Sequence, residues 1–170
     1  MEKSGIGMLG VLLLGVLIGG AASAALNGIL ADITVDIVPS TSSGGSDSSS
    51  NTTSEALVSI NLGSLEAGKS YRFDDVKAYT WLDTGAGGSV TFSLAYNETA
   101  FDYIRIEVKL YYGYDDEGEI DFYLDSNRPS YTVNLPADSN MRVEVEIKQV
   151  SVSPYAQPGQ YSIQVLYTSS

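Results

Sequence analysis

The stretch DDEGE gathers Asp115, Asp116, Glu117 and Glu119 within five residues. Carboxylates set this close are the oxygen donors that Ca²⁺ takes. Their spacing fits no cation loop, however, and a solvated hairpin tip, where Asp and Gly are at home, accounts for the same letters. Asp74 and Asp75 form a second candidate, as a general acid and base, but nothing beside them implies burial or a shared site. Lys69, Lys77, Lys109 and Lys148 are amines of the kind an isopeptide bond to Asn requires, and no local pattern marks one of them. Trp81 with Tyr79 offers a sugar-stacking platform, although a lone Trp in a strand is expected to lie in a core. The chain has no Cys and no His, which removes disulfides, thiol chemistry, most zinc sites and the Ser-His or Cys-His nucleophiles. We expect no catalytic residues, no resident metal and no cofactor, and therefore no enzyme.

These side chains belong to a chain of 170 residues, about one domain's worth, 44% of them hydrophobic and thus able to build a sizeable core. With 21 acidic and 9 basic residues the formal net charge is −12. Nucleic acid is excluded as a partner, because phosphate neutralisation needs clustered Lys and Arg, and anionic membrane surfaces are disfavoured for the same reason.

After Glu2 and Lys3, GIGMLGVLLLGVLIGGAASAAL runs from residue 5 to 26 without a charge and includes the small triplet Ala22-Ser23-Ala24. A secretory signal peptide reads this way, with cleavage after Ala24. Left uncut, the same run as a helix would extend about 33 Å, enough to anchor in a bilayer. A prepilin leader cut after Gly5 is a third reading, although Gly7, Gly10, Gly15, Gly19 and Gly20 weaken the helix it would leave. Each of the three places the remainder outside the cytoplasm, with the membrane met only through this segment. A small secreted domain without Cys must hold together by its core and by pairing with other chains.

Residues 25–38 follow. Ala31, Ile33, Val35 and Ile37 alternate with Asp32, Thr34, Asp36 and Val38, the period of a half-buried strand. Residues 39–54 then hold eight Ser, three Thr and two Gly in sixteen positions, a tether too polar to bury itself. Asn51-Thr52-Thr53 within it and Asn97-Glu98-Thr99 on a predicted turn are acceptor sequons for N-glycosylation.

From residue 55 to 170 about eight alternating runs are punctuated by turn signals, with no amphipathic helix of useful length. MRVEVEIKQV is the cleanest, with Met141, Val143, Val145 and Ile147 facing in and Arg142, Glu144, Glu146 and Lys148 facing out. The pattern predicts an all-β fold, an antiparallel β-sandwich or jelly roll.

SINLGSLEAGKSYRFDDVKAYTWLDTGAGGSVTFSLAYN, residues 59–97, resembles the early segment of the TasA/camelysin family of biofilm-fibre proteins, as IGGAASAALN, residues 18–27, resembles the end of that family's leader. The turn here reads Ala67-Gly68-Lys69 where the family commonly has Pro-Gly-Asp. The resemblance implies a jelly-roll subunit whose N-terminal strand completes the sheet of the next subunit, as in the similar bundling pili of some archaea. It also brings the peptidase activity once claimed for camelysins, which no residues here carry.

Physical argument points the same way. A strand detached on a long tether leaves its own domain with an open sheet edge, and an open edge invites another chain. Ala31, Ile33, Val35 and Ile37 are then the donor-strand interface of a head-to-tail homopolymer. The alternatives are that residues 31–38 merely open the same sandwich, and that the whole is a monomeric surface domain on a glycosylated stalk.

Overall fold

The computed structural model describes residues 26–40 and 55–170. The apolar leader with its cleavage site before Ala25, and Asn51 in the tether, lie outside them.

Alternating apolar residues form nine strands: β1 (Asn27–Val38), β2 (Val58–Glu66), β3 (Ser70–Leu82), β4 (Gly88–Ala95), β5 (Phe101–Tyr112), β6 (Gly118–Asp125), β7 (Ser130–Leu135), β8 (Met141–Val152) and β9 (Gly159–Ser169). One 3-10 turn, Tyr114–Asp116, lies between β5 and β6. In β8 the inward set Met141, Val143, Val145 and Ile147 is fully buried, as the period-2 pattern requires.

The strands make two sheets packed face to face, a β-sandwich. One has the order β2-β1-β9-β4-β7 and the other β3-β8-β5-β6. With β1 set aside, β2 to β9 cross between the sheets at every connection except the β5–β6 hairpin, the wiring of an eight-stranded jelly roll. β1 is the ninth strand, wedged between the first and the last of that set.

Between the sheets, Phe122 stacks on Tyr131 at 4.5 Å and meets Phe92 at 5.2 Å, while Phe101 meets Tyr161 edge-on at 5.9 Å. Such pairs add to the burial of the rings themselves.

Two expectations need correction. First, the segment does not stand apart: in the single chain β1, Asn27–Val38, pairs with β9 on one side and β2 on the other. Second, the sandwich is not wholly antiparallel, because β1 runs parallel to β2, with Ala31 opposite Val58 and Ile37 opposite Leu65. The tether permits both. A parallel neighbour requires a crossover of a dozen or more residues, and the chain between Val38 and Val58 supplies one. It must return the length of the paired strands, roughly 25–30 Å at about 3.3 Å per residue, well within the reach of so many residues.

Candidate functional site

The strand expected to act as an interface is the most deeply held element of its sheet. Ala31, Ile33 and Val35 are fully buried and Ile37 is 2% exposed, as the alternation predicts. Leu30 is fully buried as well, which alternation does not predict. The register with β9 slips between Ile29 and Ala31, leaving Leu30 as the extra residue of a bulge that turns two successive side chains to the core. Ahead of the bulge, Gly28 lies opposite Tyr167, and a Cβ at Gly28 would come within 2.8 Å of the Tyr167 hydroxyl. Glycine is therefore what lets that ring close over the end of the strand.

Polar contacts fix the register. Leu57 N donates to Ile29 O at 3.0 Å, Ala67 N to Val38 O at 3.0 Å, and Ser169 N to Leu26 O at 2.7 Å. On the outer side Asp32, only 6% exposed, accepts a hydrogen bond from Ser162 Oγ on β9. Among the described residues β2 has no other strand partner in the sheet, being joined to it through β1. Lifting β1 out would leave β2 without a ladder, β9 with a bare edge, and a slot shaped by four large aliphatic side chains worth roughly 1.5–3 kcal/mol each in burial.

The residues singled out for chemistry are dispersed. Asp115 and Asp116 occupy the 3-10 turn at the β5–β6 tip, and Asp116 pairs with Arg142 at 2.7 Å. Among the described residues no three carboxylates converge as a cation site would need. Asp75 sits at an irregularity of β3 with φ of 64° and pairs with Lys77 at 2.8 Å, which holds its carboxyl below the usual range, so Asp74 and Asp75 form no acid and base pair. The four lysines face carboxylates: Lys69 meets Glu66, Lys77 meets Asp75, and Lys109 and Lys148 both approach Glu107.

That last cluster is the tightest charged group described. Glu107 on β5 and Glu146 on β8 are direct cross-strand neighbours, 4% and 8% exposed, and Lys148 Nζ lies 2.8 Å from a carboxylate oxygen of each. Tyr123 donates its hydroxyl hydrogen to Glu107 Oε1 at 2.7 Å. Glu107 Oε2 meets Lys148 as an ion pair but accepts no well-angled hydrogen bond. Burial pushes the Glu107 carboxyl up, yet Lys148, Tyr123 and Lys109 together outweigh it and hold it below its ordinary range. Lys148 is raised above an ordinary lysine by its bonds to Glu107 and Glu146. The cluster is a buttress between two strands, with the Lys148 amine held in its charged form by Glu107 and Glu146.

Asn97 stands exposed on the turn between β4 and β5. Its Oδ1 accepts from Thr99 N at 2.9 Å, Thr99 Oγ1 at 2.7 Å and Ala100 N at 3.2 Å, so the acceptor amide of the sequon is presented in an Asx turn.

Trp81 overturns the expectation of a core position. It is 57% exposed and Tyr79 is 48% exposed, both on the outer side of β3. A sequence signal existed: both occupy the register of Lys77, on the opposite parity to Val76, Ala78 and Thr80, and that register is the polar one.

No family model matches this sequence, and no curated protein matches it.

Proposed function

We propose that this chain is the subunit of an extracellular filament, assembled when β1 of one copy fills the slot between β2 and β9 of the next. The observation that carries the reading is the placement of β1: it is wedged into an otherwise complete jelly roll, contributes five buried apolar side chains, and continues into the rest of the chain only through the Ser/Thr/Gly-rich tether. A chain of sixteen such residues has an r.m.s. span of roughly 20–24 Å, so the same tether that returns β1 to its own sheet reaches a neighbour's. The slot is identical in either copy, and exchange conserves every backbone bond and buried side chain of the ladder. Insertion head to tail is heterologous and propagates as a fibre. The apolar leader supports export, and the resemblance of residues 59–97 to the TasA/camelysin fibres points the same way.

The competing reading is a monomeric surface domain that keeps β1 in its own sheet. The two part when residues 25–38 are deleted from the purified protein and the product is viewed by negative-stain electron microscopy. The intact chain is expected to form filaments, the deleted chain none, and a synthetic peptide of residues 25–38 to bind the deleted chain without polymerising it. Filaments that persist after the deletion would sink the exchange mechanism, and an intact chain that sediments as a monomer at every concentration would favour the competing reading.

A further inference from the structure

On the outer face of the β3-β8-β5-β6 sheet the exposed Tyr79 and Trp81 lie near the half-buried Tyr111. Tyr79 and Trp81 are two positions apart on β3, about 6.6 Å along the strand. Tyr111 on β5 lies in the same cross-strand row as Trp81, with Arg142 of β8 between them, so the row spans two strand spacings, about 9.6 Å. The Arg142 guanidinium carbon sits 4.2 Å from the Tyr111 ring centroid and 5.8 Å from that of Tyr79, held from beyond by Asp116 at 2.7 Å. Trp81 enters no ring pair or cation–π pair among the described residues. Glu144 fills the position beside Tyr79 in the next row.

We propose that this strip is a binding surface for a neutral polysaccharide. Aromatic faces take the apolar C–H faces of sugar rings, and the partly exposed Arg142 guanidinium beside them offers donors to ring hydroxyls. The charge balance selects a neutral ligand. The strip's cations are already matched by carboxylates, as Arg142 is by Asp116 and Lys77 by Asp75, and a chain of net charge −12 repels acidic polymers. A protein partner is the poorer fit, because three aromatics separated by charged groups fall short of the roughly 800 Å² per side that a stable interface buries. The strip lies on the sheet that does not contain β1, so the inference does not rest on filament assembly.

Trp81 is the one tryptophan of the chain, and its emission reports on the strip directly. Titrating the purified protein with cellohexaose and chitohexaose is expected to give a saturable emission change with a midpoint of order 0.1–1 mM for at least one of them. Polygalacturonate, an acidic polymer, is expected to give none. Tyr111→Ala and Tyr79→Ala keep the reporter and are expected to weaken binding about tenfold each while leaving the far-ultraviolet circular dichroism unchanged. The proposal is overturned if neither hexaose changes the emission, if polygalacturonate does so equally, or if the double variant binds as the parent does. An emission change that follows protein concentration rather than added glycan would show a second copy covering Trp81, and would overturn it too.

Discussion

At the scale of single residues, the Glu107, Lys148 and Glu146 cluster shows how an outward position becomes buried. Alternation sends all three to the outer face of their strands, yet the two carboxylates are almost wholly covered by neighbouring side chains. Glu107 is held below its ordinary range, so its stabilising contribution is fully present above the unfolded carboxylate value of about 4.3 and is lost as pH falls through the lower folded value. Lys148 is raised, so its contribution is present below the unfolded value of about 10.4 and is lost only as pH climbs through the higher folded one. Lys148→Met leaves Glu146 without its cation and Glu107 with only Lys109, at 3.8 Å. We expect a loss of about 1–3 kcal/mol at neutral pH by urea denaturation. The deficit should narrow as pH falls below about 4 and Glu107 takes up a proton. A deficit of the same size at pH 3 and pH 7 would mean that Lys148 acts through its aliphatic stem, not its charge.

At the scale of elements, β1 was legible as a strand with its buried face, but not as a neighbour of β2. Ala31, Ile33, Val35 and Ile37 are inward as their spacing says, while Leu30 joins them only because the pairing with β9 bulges there. A bulge is a property of two strands together, and one strand's sequence does not announce it. Ile33 is fully buried at the middle of the strand, opposite Ile60 on one side and Ile163 on the other. Ile33→Ala should destabilise the fold by about 2–5 kcal/mol in urea denaturation. In a filament the same substitution should lower the temperature at which fibres dissociate. A change below about 0.5 kcal/mol would place Ile33 outside any core, in its own chain or a neighbour's.

At the scale of the whole molecule, the two outer faces differ in chemistry. The strands of the β2-β1-β9-β4-β7 sheet contain no Lys or Arg, whereas Arg72, Lys77, Arg105, Lys109, Arg142 and Lys148 all lie on strands of the other sheet. The topology also supplies a decisive variant. β9 ends at Ser169, hydrogen-bonded to Leu26 where β1 begins, so the two strands are an antiparallel pair lacking only a turn. A chain reordered to begin at residue 55 and run through Ser170, an Asn-Gly turn and then residues 26–38 closes that hairpin. It is expected to fold as a stable monomer by analytical ultracentrifugation and to form no fibres, because its own β1 is held in place. Fibres from this variant would show that assembly uses some surface other than the β2–β9 slot.

The sequence by itself determined the β-sandwich, the succession of strands and the buried face of the cleanly alternating ones such as β8. It also marked the exposed turn of Asn97 and the absence of His and Cys that removes so much chemistry. All of these follow from local alternation, turn residues and composition, which act within a few positions of the chain. Only the tertiary structure decided that β1 lies between β2 and β9, that it runs parallel to β2, that Leu30 is core, and that Trp81 faces out beside Arg142 and Tyr111. Those outcomes depend on which distant strand supplies the unpaired edge and on the register it imposes. The tether satisfies a parallel crossover and a reach to a neighbour equally well, so pairing between strands, not the tether, fixes where β1 goes.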